Sequence, residues 1–150
     1  MPSLDWKIFY SLPGDKTRNF ENLCRGAVRL QYARFGVFKA LGNQPGVEFH
    51  IKLTESCQLG DPPRWFGWQC KLYQRTQNGK LRAASRRDIE HSLAITENVL
   101  PNLTDWVLWT PYTLSKDDQE WYYNLSTPYN LHLWAEEEVD TYLSGDALML

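Results

Sequence analysis

Val47-Glu48-Phe49-His50-Ile51-Lys52-Leu53 alternates strictly between apolar and polar side chains. That period of two belongs to a strand with one buried face, set by Val47, Phe49, Ile51 and Leu53. Upstream, Val37 to Leu41 is a second short apolar run, and Gly42-Asn43-Gln44-Pro45-Gly46 between the two is a turn sequence. The pair therefore predicts a hairpin. Downstream, past a loop with Gly60 and Pro62-Pro63, Trp65 to Tyr73 reads as a third strand closed by Gln77-Asn78-Gly79.

Outward from these strands the period changes to that of helices. Phe20, Leu23, Cys24, Ala27 and Leu30 recur at helical spacing within Arg18–Arg34, with Gly36 as the stop. Arg18, Glu21, Arg25 and Arg29 follow one another at steps of three and four and share another side of that helix. Before it, aromatic Trp6 to Leu12 reads as a short extended piece halted by Pro13-Gly14. After the third strand, Ser85 with Asp88 three residues on predicts a helix start. Ile89, Leu93, Thr96 and Leu100 mark that helix's apolar face, and Pro101 ends it. Trp106 to Thr110 is a wholly apolar run up to its last residue, as suits a strand buried on both faces. Ser115 and Asp118 cap a short helix reaching Leu125; Leu131 to Trp134 is a last strand, and Glu136 to Leu143 a last helix. The order α-β-β-β-α-β-α-β-α predicts an α/β sandwich: a central mixed sheet flanked by helices, one domain over residues 1–150.

Bulk properties bound the function. A chain of 150 residues can bury a core without disulfides. Cys24, Cys57 and Cys70 are odd in number and widely spaced, with no zinc-type pairing, and read as reduced thiols. No apolar run reaches the roughly 18 residues of a membrane span, and Met1 to Trp6 lacks a signal pattern, so a cytoplasmic protein is expected. The apolar ending Ala147 to Leu150 reads as a domain cut from a longer chain. Net charge is −2, but it is unevenly spread. Pro62 to Arg87 has no acid and seven bases, while Asp117, Asp118, Glu120 and Glu136 to Glu138 gather near the end. A cationic face over a phosphate backbone and an anionic face turned away would follow, two ordinary solvated surfaces being the alternative.

Chemistry concentrates on the second and third strands. Hydrolysis of a phosphodiester needs a divalent cation, an activated water and a positive charge near the phosphate, and hard cations take oxygen ligands. Glu48 offers a carboxylate. Alternation puts Gln69 and Lys71 on one face, with Cys70 turned away. With the strands adjacent, Glu48, the Gln69 amide oxygen and the Cys70 backbone carbonyl can hold the metal. Lys71 can orient the attacking water and offset phosphate charge. A plain cross-strand ion pair between Glu48 and Lys71 is the competing reading, as is an i,i+4 pair between Glu21 and Arg25. His50 reads as solvent-facing. Trp106, Trp109 and Trp134 read as core, and Trp65 and Trp68 as either core or base-stacking rings.

A carboxylate in the second strand followed by Gln-x-Lys in the third resembles the Mrr-like branch of the PD-(D/E)xK nucleases, and the element order from Arg18 to Leu143 resembles their core. The chain carries Glu48 where branch members commonly have Asp. The resemblance implies a restriction endonuclease-like fold and an Mg²⁺-dependent (or Mn²⁺-dependent) endonuclease acting on double-stranded DNA. Glu48 then matches the first acid, Gln69 the second position, Lys71 the lysine, and Glu21 the acid that the first helix adds. Arg18, Arg25, Arg29, Arg86 and Arg87 become candidates for DNA phosphate contacts. Such domains serve as antiphage or restriction effectors joined to NTPase or sensor regions, and cutting both strands implies a homo-oligomer. The alternatives are a nuclease-like fold that binds nucleic acid without cutting, and a protein-interaction module.

Overall fold

The computed structural model describes residues 6–41, 46–73 and 75–143. The predicted turn over 42–45 and the apolar ending lie outside them. The first element departs from expectation: Trp6–Ser11 is a helix, α1. Trp6, Phe9 and Tyr10 are spaced three and four apart, so a helix stacks them on one side, with Trp6–Phe9 centroids at 5.3 Å and Trp6–Tyr10 at 5.8 Å. Helical spacing here overrides the strand preference of aromatic residues.

Helix α2 (Lys16–Tyr32) starts on Asp15, whose carboxylate accepts from the Thr17 amide at 2.9 Å. It buries Phe20, Leu23, Cys24, Ala27, Val28 and Tyr32. Leu30, predicted on that face, is instead 80% exposed, because the buried stripe turns toward Val28 and Tyr32. A 3-10 turn over Ala33–Phe35 leads into β1 (Gly36–Ala40), which pairs antiparallel with β2 (Phe49–Leu53). β2 pairs antiparallel with β3 (Trp65–Cys70), three residues shorter at its end than predicted. β4 (Asp105–Trp109) lies parallel to β3, and β5 (Asn130–Trp134) parallel to β4. The sheet order is β1-β2-β3-β4-β5. Parallel pairing requires crossovers, supplied by α3 (Ala83–Val99) and α4 (Lys116–Tyr123). α5 (Glu136–Tyr142) completes the fold.

Each end of β4 shows why the sheet is central. All five of its residues are buried. Val107 and Trp109 pack with Phe20, Val28 and Val139 from α2 and α5, while Trp106 and Leu108 pack with Ile89, Leu93 and Tyr122 from α3 and α4. Helices therefore cover both faces of a mixed five-stranded sheet, as the α/β reading expects. Close approach is enforced at Gly67, where an added Cβ would lie 2.9 Å from Val47 and 3.0 Å from Leu103.

Caps explain the helix starts unevenly. Ser115 accepts from the Asp118 amide at 3.2 Å, as predicted for α4. α3 begins earlier than predicted, with Arg82 rather than Ser85 at its cap position. Asp88 is drawn instead to the Tyr73 hydroxyl, 3.0 Å away. The basic and acidic stretches also meet rather than diverge: Lys80 pairs with Asp117 at 3.0 Å and Arg86 with buried Asp118 at 2.6 Å. No helix among the described residues is long and apolar enough to cross a membrane.

Candidate functional site

Backbone pairing runs one residue past the labelled ends of β2 and β3. The Glu48 amide donates to the Trp68 carbonyl at 2.9 Å, and the Leu41 amide donates to the Glu48 carbonyl at 2.7 Å. The Lys71 amide donates to the Trp109 carbonyl at 3.0 Å. The ladder pairs Phe49 with Trp68, yet the Glu48 amide also donates to the Trp68 carbonyl, so Glu48 and Phe49 both face Trp68 and the regular register ends there. The strict alternation expected through this stretch breaks here. Val47 packs on the α3 side of the sheet and Phe49 on the α2 side, although regular pleating would give them one face. Gly46, at φ +102°, supplies the left-handed backbone just ahead of the irregularity.

Glu48 is buried and its two oxygens are engaged. Oε1 accepts from Gln69 Nε2 at 2.9 Å, and Oε2 accepts from the Cys70 amide at 2.9 Å. Of the Cys70 backbone, then, the N–H is what binds the carboxyl. Lys71 does not pair with Glu48; its ammonium sits 3.5 Å from Glu21 Oε1 on α2. Glu21 is buried too, so its partner is Lys71 rather than Arg25. The structure thus brings Glu21, Glu48, Gln69 and Lys71 together at one sheet end.

The electrostatics of this cluster are unfavourable to charge. Burial, followed by the neighbouring Glu21 carboxylate, pushes the Glu48 carboxyl well above the usual range, against the opposing pull of the Cys70 amide and Lys71. Gln69 is fully buried, and its Oε1 has no hydrogen-bond partner. Leaving a buried acceptor unpaired costs about 1–3 kcal/mol. The other buried orphans among the described residues are the indole N–H groups of Trp68, Trp106 and Trp109; Gln69 Oε1 is the one acceptor. An oxygen with a vacant lone pair beside two crowded carboxylates fits a hard divalent cation, which would pair the oxygen and relieve the repulsion. The donors available are Glu48, Glu21 and the Gln69 amide oxygen. Among the described residues there is no group of three or more His, Cys, Asp or Glu side chains able to hold a metal ion.

Cys24 and Cys70 lie behind the site, free and buried, and burial raises both thiols, which keeps them protonated. Cys57, also free, is only half-buried. His50 is not solvent-facing: it is buried, and its Nδ1 accepts from the Trp65 indole at 2.9 Å. Burial lowers its pKa, so the imidazole is held neutral. That bond also ties Trp65 to β2, and Trp68 is wholly buried, which leaves neither ring as a simple stacking platform. Of the arginines, Arg86 is held by Asp118 and lies over the Trp121 ring at 4.8 Å. Arg18, Arg25, Arg29 and Arg87 make no ion pair among the described residues. Arg18 and Arg25 flank Glu21 along α2 by helical spacing.

Two constellations escaped the sequence reading. One is Asp105, fully buried, held by Arg64, Thr104 and His132. An acid leading directly into an apolar buried strand needs partners, and that was the available signal. The other is a cleft lined by Lys16, Arg75 and Arg82: the two arginines belong to the basic stretch already noted, but Lys16 is too far away in sequence to be grouped with them. No family model matches the chain, and no curated protein matches it.

Proposed function

We propose that this protein is a metal-dependent endonuclease cutting double-stranded DNA, a PD-(D/E)xK nuclease of the Mrr-like kind acting as a cytoplasmic antiphage or restriction effector. The observation that carries the reading is the orphaned Gln69 amide oxygen beside Glu48 and Glu21. The sheet supports it as well: three antiparallel strands continued by two parallel ones suit a restriction endonuclease-like core. A bound Mg²⁺ or Mn²⁺ would polarise the phosphodiester and lower the pKa of a water.

The remaining work falls to the chain's own side chains. Glu48 supplies a carboxylate once it has lost its proton, and Gln69 Oε1 supplies a neutral oxygen. Glu21 adds a second carboxylate and keeps the Lys71 ammonium at the sheet end, 3.5 Å away. Lys71 orients the attacking water and offsets charge on the phosphate as the water oxygen joins phosphorus and one sugar–oxygen bond to phosphorus breaks. Arg18, Arg25 and Arg29 on α2 and Arg87 on α3 are the proposed contacts to the phosphate backbone. Cutting two strands requires two sites, hence a homo-oligomer, and a linked NTPase or sensor region is the proposed source of control.

One observation favours a second reading. Both Glu48 oxygens already accept from protein N–H groups, as those of a purely structural carboxyl would. A nuclease-like fold that binds nucleic acid without cutting then follows. Calorimetric titration with magnesium and manganese chloride separates the two. Binding by the wild type, lost in Glu48→Ala, supports the metal site. Absence of binding with DNA present sinks it and leaves the non-cutting reading.

A further inference from the structure

The hydrolytic chemistry leaves a cleft of about 680 Å³ unused. Tyr10 from the end of α1, Lys16 at the start of α2, Arg75, Arg82 just before α3, and Tyr112 after β4 surround it. No acidic side chain lines it among the described residues. The Arg75 guanidinium lies over the Tyr112 ring, 4.0 Å from its centroid, and Tyr10 lines the same cleft. Leu72 and Tyr73, the two residues that follow Lys71, also line this cleft, so it adjoins the Glu48 site along the chain.

We infer that this cleft binds an unpaired nucleic-acid strand, taking phosphates on Lys16, Arg75 and Arg82 and a base against Tyr112. Three cations in a lining that holds no acidic side chain select an anion. Aromatic rings among the cations select a ligand that also offers a flat face, the combination that defines grooves for single strands. A duplex keeps its base faces stacked inside and offers none to Tyr112. The volume also falls in the range of pockets for single small molecules, roughly 300–1,000 Å³, which suits a short stretch of one strand. An unpaired strand held here would run toward Lys71. The inference names the form of strand presented to the site and rests on the nuclease reading for its catalytic meaning, whereas the binding itself needs no metal.

The test is fluorescence anisotropy of a labelled oligothymidylate with the full chain in EDTA. Unlabelled oligothymidylate, a blunt duplex and thymidine monophosphate serve as competitors. The oligothymidylate should compete best. Arg75→Gln combined with Arg82→Gln, both at exposed positions, should weaken its binding at least about tenfold, and Tyr112→Leu should weaken it further. Val37→Ala, at an exposed position on β1 outside both sites, should bind as the wild type does. A duplex that competes equally overturns the inference, as does a mononucleotide that does so, or an arginine double variant that binds normally. If the arginine variants lose binding while no metal site exists, the nuclease reading fails and the cleft stands. If metal binds and the arginine variants are silent, the cleft alone fails.

Discussion

Asp105 and Glu48 sit toward opposite ends of the same sheet, Asp105 paired in register with Phe66 at the start of β3 and Glu48 beside Gln69 near its end. Both are buried. Asp105 accepts from Arg64 at 2.6 and 3.1 Å, Thr104 at 2.7 Å and His132 at 2.8 Å. Burial alone would raise its carboxyl, but the bonds from His132, Arg64 and Thr104 outweigh it and hold the group well below the usual carboxylate range. Glu48 has two neutral donors and a second carboxylate nearby, and its carboxyl is driven up instead. One buried acid is saturated with partners and ties β3, β4 and β5 together. The other is left short of positive charge, and the neighbouring amide oxygen is left without a donor. Frustration of that kind at one sheet end, with full satisfaction at the other, distinguishes a site that can gain a ligand from one that only holds the fold.

The largest effect that can break this contrast is on catalysis. Lys71→Ala should reduce plasmid cleavage in magnesium by at least about a hundredfold, far more than the modest fall in thermal midpoint expected from unpairing buried Glu21 accounts for. Cutting at the wild-type rate would remove Lys71 from the mechanism. Next in size, Asp105→Ala should destabilise the protein by about 3 kcal/mol in urea denaturation. That is the low end for breaking a buried pair, because the Arg64 side chain is 38% exposed and can turn to water. A loss under about 1 kcal/mol would mean that Asp105 is no lock.

The two acids also predict opposite responses to pH. The Glu48 carboxyl is raised from 4.5, so its contribution is fully present below that value and is lost as pH rises through the folded-state value. Asp105 is lowered from 3.8, so its contribution is present above that value and is lost as pH falls toward the folded-state value. Wild type should therefore gain stability over Glu48→Gln as pH falls from the neutral range toward the ordinary carboxylate range, measured by urea denaturation. Saturating magnesium should reverse the trend, since the metal requires the deprotonated carboxylate. A pH-independent difference would place Glu48 in an ordinary environment. The smallest effect concerns the periphery: Arg25→Ala should lower the salt slope of duplex binding by about one, measured by filter binding, with cleavage chemistry intact.

Much of the fold was legible because burial writes a period into the chain. β2, β4, β5, α4 and α5 lie within a residue or two of where alternation, apolar runs and the Ser115 cap put them. α1 is not legible from its aromatic content, which favours a strand; only the three-and-four spacing of Trp6, Phe9 and Tyr10 marks the helix. Local spacing could not reveal that the alternation breaks at Glu48, since the break is between residues that look regular in sequence. Nor could it choose between Arg25 and Lys71 as the partner of Glu21, because the choice depends on how α2 crosses the end of β3.

From its sequence alone, the chain determines an α/β order, the hairpin and third strand, and the residue types Glu48, Gln69 and Lys71 on adjoining strands. These follow from side-chain periodicity and turn chemistry, which act over a few residues. Tertiary structure decided the rest. It buried Glu48 against Glu21, left Gln69 Oε1 without a donor, joined Arg64 and His132 on Asp105, and gathered Lys16, Arg75 and Arg82 around one cleft. Desolvation and charge coupling depend on distances through space between segments remote in sequence, and only the packed sheet and helices set those distances.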